Sequence, residues 1–300
     1  MVDRTMKGII PILATPFDDK GQVDFEDLER EVEWMIGVGV NGVGIAVASE
    51  IYKLTDPERD EVLTSVVKQA DGRVPVVMNT GGMGTDVTVH YSKRAEELGA
   101  DALMIRPPSF IPMPASEIIE FFGRVGASVE IPIFLQDQAT AQVPPGMAIE
   151  IANRSENLCY IKVETPPTIP RMGETQKLAE GTDLILFGGA GGAFAVEEFK
   201  RGSVGTRPGS TLPDMFVRVW DHYQAGDEDA ANAEMRRHAA LIGMLAQGQG
   251  FANWIYKHIM VRRGVFSPGS DFARHPALKP DANHFKEIDA LLESLDLVGK

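Results

Sequence analysis

A lysine stands inside an apolar stretch, CYIKVET, at residues 159–165. Tyr160 and Val163 predict a β-strand that enters a core, and Lys162 lies between them. A buried ammonium needs a charged partner or a pKa low enough to make it neutral. Desolvation lowers the pKa of a buried lysine, and the free amine attacks a carbonyl carbon to form a Schiff base. An ordinary ion pair with Glu164 is the alternative, and position alone does not separate the two.

Other polar side chains follow other apolar runs. Gln136 and Asp137 end IPIFLQD, and one of the two must face the interior of the sheet, while Asp137 alternatively caps a turn. Ser49 and Glu50 follow GVGIAVA, where the serine either donates hydrogen bonds to a carboxylate or shapes the turn. Arg207 follows the last run and either helps to bind an anionic substrate or forms a surface salt bridge.

The glycine cluster GGAGGA at 188–193 matches neither a dinucleotide nor a phosphate loop, because the GxGxxG and GxxxxGK[ST] spacings are absent. Gly188 and Gly189 are more typical of a tight turn or of room for a ligand. The six histidines form no HxH or HExxH pair, so the sequence predicts no metal site. Cys159 begins a strand, where a core role is expected.

Eight times along the chain, a short apolar run precedes a longer amphipathic one. This alternation predicts an α/β fold, a (β/α)₈ TIM barrel, and runs that are apolar throughout suit a parallel sheet covered by helices. Catalytic residues of such barrels lie at the carboxyl ends of the strands. The eight runs are GIIPILATPF, GVGIAVA, VPVVMNT, DALMIRP, IPIFLQD, CYIKVE, DLILFGG and the weaker SVGTRPG.

Two regions are expected: residues 1–226 form the barrel, and residues 227–300 form a C-terminal helical extension packed on it. The second region is helical and charged, with three amphipathic segments and no linker before it. These segments are DEDAANAEMRRHAALIGMLAQ, FANWIYKHIMVRR and NHFKEIDALLESL.

Composition excludes several classes of partner. The net charge of −14 disfavours nucleic acid and anionic membranes, although a local pocket can still bind a small anion. The sequence contains no run of about 18 apolar residues, the length that would predict a membrane-spanning helix. The short apolar run near the N-terminus is interpreted as the first strand and not as a targeting segment. A single cysteine excludes an intramolecular disulfide and suits the reducing cytoplasm.

Four segments together resemble the dihydrodipicolinate synthase / N-acetylneuraminate lyase family of Schiff-base-forming barrels, and the resemblance covers nearly the whole chain. It implies that Lys162 is the Schiff-base lysine, that Glu50 stands at the family's glutamate, and that no cofactor is needed beyond the covalent imine. It also implies a homotetramer, a dimer of dimers. The segments are PILATPF with its following GQVD, SEIYKLTDPER, EELGADALMIRPP and IKVET.

The departures from the family pattern narrow the function that the resemblance implies. Residues 46–50 read AVASE where family synthases usually carry Gly-Thr-Thr-Gly-Glu, so the hydroxyl pair that binds the pyruvyl carboxylate is missing. The tyrosine expected at the end of strand five is Gln136, and the paired tyrosines after strand four are Pro108 and Ser109. These changes disfavour a true dihydrodipicolinate synthase.

L-2-keto-3-deoxyarabonate dehydratases are more similar, with Ser-Glu, Pro-Pro, Gln-Asp and Lys-x-Glu-Thr-Pro after strands two, four, five and six. The implied reaction is dehydration of a 2-keto-3-deoxy sugar acid, a small 2-keto acid, through an imine on Lys162. A pyruvate-dependent aldolase or synthase with the same imine is the alternative, and a non-catalytic barrel that binds a small acid is the third hypothesis.

The predicted catalytic set combines the imine lysine with groups that could move protons in place of the missing tyrosine. Its members are Lys162, Asp137, Gln136 and Glu164, with water held by Gln136 and Ser49 as a further proton carrier. The residues predicted to contact the substrate are Ser49, Glu50, Ala48, Pro108, Gly188, Gly189, Thr206 and Arg207.

Overall fold

Eight short parallel strands form one curled sheet in the computed structural model, which describes residues 2–299 except for the side chain of Gln249. In chain order the strands are β1 (Gly8–Ile9), β2 (Val43–Ile45), β3 (Val76–Asn79), β4 (Ala102–Ile105), β5 (Ile133–Asp137), β6 (Tyr160–Val163), β7 (Ile185–Gly188) and β8 (Gly205–Thr206).

The sheet closes into a barrel. Consecutive strands pair in parallel from β2 to β8, and β8 pairs with β1. The remaining seam is bridged just beyond β1, where Leu13 N–H donates to the Gly44 carbonyl at 2.8 Å and Gly44 N–H donates to the Pro11 carbonyl at 2.8 Å. The predicted (β/α)₈ fold is confirmed.

Strands β1 and β8 are much shorter than their predicted runs. Pro11 and Pro208 stand just beyond them, and proline has no N–H to donate to a ladder. The two prolines still accept, since Ile12 N–H donates to the Pro208 carbonyl at 2.8 Å. The barrel wall therefore continues past both strands as isolated bridges.

A helix follows each strand, and three more follow the barrel in the described chain. The helices are α1 (Phe25–Gly37), α2 (Asp56–Ala70), α3 (Thr85–Glu97), α4 (Ala115–Gly126), α5 (Pro145–Ala152), α6 (Thr168–Ala179), α7 (Ala195–Phe199), α8 (Pro213–Gln224), α9 (Glu228–Leu245), α10 (Gln249–Arg262) and α11 (Ala282–Ser294). Short 3₁₀ turns lie at Val47–Ser49, Ile51–Lys53 and Ala190–Gly192.

The start of α2 shows how local sequence sets an element boundary. Thr55 precedes the helix in extended conformation, and its N–H donates to Glu58 Oε2 at 2.8 Å. Pro57 stands in the first turn, where its missing N–H costs nothing. Thr55 and Glu58 therefore form a capping box, which ends the turn segment that follows β2.

Alternation along each strand separates two apolar layers. On β6, Ile161 and Val163 pack outward against the helices, whereas Tyr160 points into the barrel. The inward layer is aromatic, with the rings of Phe134 and Tyr160 stacked at a centroid distance of 4.4 Å and Phe187 set edge-on to Phe134 at 5.3 Å. This plug fills the lower barrel and leaves the next inward position of each strand to face the mouth.

The C-terminal helices pack on one side of the barrel and reach over its mouth. Helix α9 packs against α8, and α11 packs against α9 and α10. Helix α10 carries Ala252, Tyr256 and Met260 onto a small cluster with Ala14, just beyond β1. No helix in the described chain has the length and apolar character needed to cross a bilayer.

Candidate active site

Lys162 lies inside the barrel at the carboxyl end of β6. Its register partners are Gln136 on β5 and Phe187 on β7, so its side chain points inward one layer above Tyr160. Only 4% of the residue is exposed, and Nζ lies 2.9 Å from Glu164 Oε1. Burial lowers the pKa of Lys162, and Glu164 opposes this shift without cancelling it. The lysine is therefore poised to give up its proton.

Glu164 is oriented by three donors. Besides Lys162, it accepts from Gln136 Nε2 at 2.9 Å and from Ala190 N–H at 3.2 Å. Gly189 makes room for it, since a Cβ at that position would lie 2.3 Å from Glu164 Cγ. Burial raises the pKa of Glu164, but Lys162 and the donated hydrogen bonds outweigh it and hold the pKa below its usual range. The carboxylate is ionised and can accept a proton.

Asn79 extends this polar chain across the barrel, and sequence reasoning missed it. Its Nδ2 donates to Gln136 Oε1 at 3.2 Å, which leaves the Gln136 amide nitrogen to donate to Glu164. Asn79 Oδ1 accepts from Gly81 N–H at 3.2 Å. A detectable signal existed, because Asn79 is the inward polar residue at the end of VPVVMNT, as Gln136 is in IPIFLQD.

A cavity of about 430 Å³ opens beside the lysine–glutamate pair. It is lined by Glu164 and Gly209 from the barrel and by Tyr256 from α10. Burial, followed by the charge of Glu164, raises the pKa of Tyr256 to about 12, so the phenol keeps its proton. Tyr256 was not predicted, because the α10 pattern was interpreted as packing alone.

Asp137 faces away from the lysine, contrary to its predicted role as a proton carrier. It follows Gln136 on β5 and so points outward, where Arg171 holds it with Nε at 2.6 Å from Oδ2 and Nη2 at 2.8 Å from Oδ1. Thr165 Oγ1 and Val143 N–H also donate to Oδ1, each at 2.8 Å. Asp137 ties α6 and the loop after β5 to the barrel wall.

Ser49 and Glu50 are also committed to the protein itself. Ser49 Oγ donates to the Leu13 carbonyl and accepts from Ala46 N–H at 3.0 Å, so it has no proton left for a substrate carboxylate. Glu50 is fully buried between two lysines of the chain. Both side chains are engaged within the protein, and their predicted substrate contacts stay predictions.

Ala48 and Pro108 lie near the mouth without polar side chains. Ala48 is half-buried and packs against the inward layer and the cluster of Tyr256. Pro108 is half-buried in the loop between β4 and α4. Their predicted contacts with a substrate stay predictions.

Gly188 and Thr206 face the helices and not the mouth. A Cβ at Gly188 would lie 2.1 Å from Glu198 Oε2 and 3.2 Å from Thr206 Oγ1, so the three form one group between the barrel wall and α7. Strand alternation thus turns both residues toward α7, and their predicted substrate contacts stay predictions. Burial raises the pKa of Glu198 to about 8, which keeps this carboxyl protonated at neutral pH.

Arg207 points into the barrel, so the surface salt-bridge alternative is wrong. Only 1% of the residue is exposed, and its guanidinium carbon lies 4.5 Å from the centroid of the Phe134 ring. Its charge contributes to the low pKa of Lys162, after burial. No group of three or more metal-binding side chains occurs in the described part of the chain.

The sequence profile of the Dihydrodipicolinate synthetase family matches residues 5–295. The chain belongs to the dihydrodipicolinate synthetase family. An L-2-keto-3-deoxyarabonate dehydratase of Azospirillum brasilense is 32% identical over 301 residues, covering 97% of this chain and 94% of that protein. A 4-hydroxy-tetrahydrodipicolinate synthase of Methanococcus vannielii is 31% identical over 173 residues, 56% of this chain and 59% of that protein.

Solved structures of the same family superpose along nearly the whole chain. A putative dihydrodipicolinate synthetase from Pseudomonas aeruginosa matches with a TM-score of 0.90 at 25% identity, covering 97% of this chain and 100% of that one. YagE of E. coli K12, described in complex with pyruvate, matches with a TM-score of 0.91 at 23% identity, covering 98% and 99%. The predicted family is confirmed, and with it the predicted enzyme class, a lyase.

Proposed function

We propose that this member of the dihydrodipicolinate synthetase family dehydrates a 2-keto-3-deoxy sugar acid through a Schiff base on Lys162. The observation that carries the proposal is the inward pair of Lys162 and Glu164, 2.9 Å apart beside a cavity at the carboxyl ends of the strands. The similarity to an L-2-keto-3-deoxyarabonate dehydratase over 97% of the chain supports the substrate class.

In the first step, the neutral amine of Lys162 attacks C2 of the keto acid. Glu164 takes the ammonium proton, since its Oε1 already accepts from Nζ. One proton of the attacking amine passes to the C2 oxygen, and Glu164 returns the ammonium proton to the same oxygen, which leaves as water. The lysine nitrogen becomes a protonated imine, and Glu164 is again ionised. This imine draws electrons from C3 and makes the C3 protons acidic.

In the second step, Glu164 removes a C3 proton to give the enamine. The enamine expels the C4 hydroxyl, which takes the proton held by Glu164 and departs as water. Gln136 and Ala190 N–H hold the carboxylate in place during both transfers. With a five-carbon substrate, loss of a C5 proton and protonation of C3 turn the conjugated imine into the imine of an enol, which tautomerises to the aldehyde. Hydrolysis then frees Lys162 and the α-keto semialdehyde, so the proposed cycle uses the covalent imine and no cofactor.

Tyr256 is suited to assist the departing hydroxyl. It lines the same cavity as Glu164, and its raised pKa keeps the phenol as a hydrogen-bond donor. A donor aimed at the C4 oxygen stabilises the negative charge that develops as the carbon–oxygen bond breaks. The hydroxyl of Tyr256 comes from α10 and not from the end of β5, where the family pattern places a tyrosine and this chain has Gln136.

A pyruvate-dependent aldolase or synthase is the second candidate, because it would begin with the same imine. The similarity to 4-hydroxy-tetrahydrodipicolinate synthases favours it over part of the chain. Product analysis separates the two reactions: an aldolase releases pyruvate from a candidate substrate, whereas a dehydratase releases water and an α-keto semialdehyde. A barrel that only binds a small acid would give neither product.

The first test is reductive trapping with pyruvate and borohydride, followed by intact-mass measurement and peptide mapping. We expect one reduced pyruvyl adduct, on Lys162. Lys257 is the internal control, since it is buried and carries a lowered pKa but its partner Glu50, unlike Glu164, is not among the residues that line the cavity. An adduct on Lys257 or on surface lysines alone would contradict the proposal. A panel of 2-keto-3-deoxy acids then identifies the substrate.

Assembly and compartment remain part of the proposal. We propose a homotetramer, a dimer of dimers, which sedimentation of the purified protein tests. The single cysteine suits the reducing cytoplasm, and fractionation of the source cells tests that placement.

A further inference from the structure

Arg207 is a buried cation with no acceptor. Each of its three guanidinium nitrogens is buried without a hydrogen-bond partner among the described residues. A buried guanidinium carries five N–H donors, and leaving them unpaired in the interior costs free energy. Such a side chain persists in a folded protein where a ligand or water completes it. The three unpaired nitrogens therefore mark a place for an acceptor inside the barrel.

A bulge in β8 directs this side chain inward. Val204 N–H donates to the Leu186 carbonyl at 2.9 Å, and Arg207 N–H donates to the Gly188 carbonyl at 3.2 Å. The acceptors on β7 are two residues apart, whereas the donors on β8 are three apart, so β8 holds one extra residue. Thr206 consequently faces α7, and Arg207 turns into the lumen.

Neighbouring strands are shaped to accommodate the guanidinium. A Cβ at Gly44 on β2 would lie 2.5 Å from Arg207 Nη2, so the absence of a side chain there makes room for it. On β5, the Phe134 ring lies 4.5 Å from the guanidinium carbon, which is a favourable cation–π distance. Phe134 is one inward layer below Gln136, so the guanidinium lies beneath the Lys162–Glu164 pair.

Once the imine forms, the buried site contains more positive than negative charge. Burial lowers the pKa of Arg207 to about 9, and the charge of Glu164 opposes this shift only in part. The two oxygens of Glu164 already accept from Lys162, Gln136 and Ala190 N–H. When Lys162 becomes a protonated imine, two cations face one carboxylate. A 2-keto acid brings its own carboxylate, which is attached directly to the carbon that Lys162 attacks.

We propose that Arg207 binds the carboxylate of the 2-keto acid that condenses with Lys162, and this proposal rests on the proposed function. The planar guanidinium matches the two oxygens of a carboxylate. Ser49, the other predicted carboxylate ligand, uses its hydroxyl hydrogen in a hydrogen bond to the Leu13 carbonyl. Arg207 thus selects 2-keto acids over neutral ketones and places C2 against Nζ.

The test compares pyruvate with pyruvamide, its neutral isostere, in borohydride trapping on Lys162. Wild-type protein is expected to trap pyruvate at a much lower concentration than pyruvamide. Arg207→Gln should raise the half-saturating concentration of pyruvate about 10- to 100-fold more than that of pyruvamide, because a charge-assisted hydrogen bond is lost with pyruvate alone. The loss of a positive charge near Lys162 affects both ketones alike and cancels in the ratio. Arg207→Lys keeps the positive charge but not the paired N–H donors of the guanidinium. Its half-saturating concentration of pyruvate should lie between those of the wild type and Arg207→Gln. An unchanged pyruvate-to-pyruvamide ratio in both variants would overturn the proposal.

Arg263 provides a matched control. It is also a buried arginine, but it donates to the Thr211 carbonyl at 2.8 Å and to Asp214 Oδ1 at 2.9 Å. Arg263→Gln should lower stability and leave the pyruvate-to-pyruvamide ratio at its wild-type value. A ratio that falls equally in Arg263→Gln and Arg207→Gln would assign the effect to general loosening and overturn the specific role of Arg207.

Calorimetry separates failure of this proposal from failure of the imine mechanism. If wild-type protein traps neither ketone, the imine function fails, and pyruvate binding is measured on Lys162→Ala with and without Arg207→Gln. Binding that disappears with Arg207→Gln supports the carboxylate site in the absence of an imine. Binding that is equal in the two proteins, or absent from both, overturns it.

Discussion

Lys162 and Lys257 each form a buried ion pair with a glutamate, but Glu164 lines the cavity described above and Glu50 does not. Lys162 pairs with Glu164 inside the barrel, and Lys257 on α10 pairs with Glu50 after β2. Both lysines are almost wholly buried, at 4% and 1% exposure. Burial lowers the pKa of both ammonium groups, and that of Lys257 falls to about 8.

The Lys257 pair is complete within the protein. Lys257 also donates to the Phe272 carbonyl at 2.8 Å and lies 4.1 Å from the centroid of the Phe17 ring. Glu50 has a second cation, since Lys53 Nζ lies 2.7 Å from its Oε2. None of the described residues that line the cavity beside Glu164 belongs to this network. It fastens α10 to the turn after β2.

The Lys162 pair is incomplete by comparison. Glu164 lines a cavity, Arg207 nearby has three nitrogens without a partner, and the strands around them leave room where glycine replaces a side chain. A lowered lysine pKa is therefore not what distinguishes a catalytic pair here. Access to a cavity and unpaired neighbouring charge distinguish it.

Replacing each lysine should have opposite consequences, and the largest is expected at Lys162. Lys162→Ala should reduce turnover by about 10⁴-fold or more, since the nucleophile is lost. The melting temperature should fall less than in the Lys257 variant, because Glu164 keeps two other donors and its side chain is 13% exposed, whereas that of Glu50 is fully buried. Steady-state assays on the identified substrate, with a thermal melt of the same sample, measure both. Retained turnover would rule out the imine mechanism.

The reciprocal change, Lys257→Met, should act on stability. We expect the free energy of unfolding to fall by about 3 kcal/mol, because one partner of a buried pair is removed. Urea unfolding measures the loss, and trapping of pyruvate per folded molecule should remain near the wild-type level. A variant that is stable but cannot form the imine would show that the two pairs are not separate in function.

Tyr256→Phe tests whether the hydroxyl that α10 contributes to the cavity wall takes part in the reaction. Removal of the phenol should lower kcat about 100-fold, the size of a lost general-acid or hydrogen-bonding contribution, and leave pyruvate trapping unchanged. Phenylalanine preserves the ring that fills the space beside Gly209. Tyr223→Phe is the control, because that ring packs on Phe199 at 5.2 Å outside the cavity lining. Equal losses in both variants would count against a role for Tyr256.

The smallest effect is expected behind the barrel wall, at Glu198. Its folded pKa of about 8 exceeds its ordinary 4.5, so the folded state holds a proton that the unfolded state has released. Stability attributable to this group is therefore lost as pH rises between about 4.5 and 8. The melting temperature of the wild type should fall between pH 5 and pH 8, and that of Glu198→Gln should fall less. The difference should be about 2–4 °C for each kcal/mol of pH-dependent destabilisation that the variant removes. Glu197→Gln, on the same helix, should leave the wild-type slope, and an identical slope in both variants would contradict the buried-carboxyl argument.

The barrel and the inward position of Lys162 could be predicted, because both follow from local periodicity. Alternation through Tyr160, Lys162 and Glu164 needs no distant information. Gln136 and Asp137 left two choices open, and the register of β5 against β6 decided between them. Register depends on the whole barrel, so the sequence of one strand does not contain it.

The roles of Glu50 and Tyr256 were out of reach for a different reason. Glu50 matches a family motif, but its partner Lys257 stands 207 residues away. Tyr256 sits in an amphipathic helix whose pattern indicates burial without saying against which surface. Contacts of this kind arise from the packing of complete elements and not from spacing along the chain.

Tyr256 and Lys257 are consecutive residues of α10, and one faces the cavity while the other anchors the helix to Glu50. The anchor and the cavity wall are therefore parts of one rigid segment. The strands hold Lys162, the proposed nucleophile, whereas α10 supplies part of the cavity wall through Tyr256. Substitutions at the α10 residues that line the cavity can thus change specificity for the far end of a substrate. They leave Lys162 and the Lys257–Glu50 anchor of the helix in place.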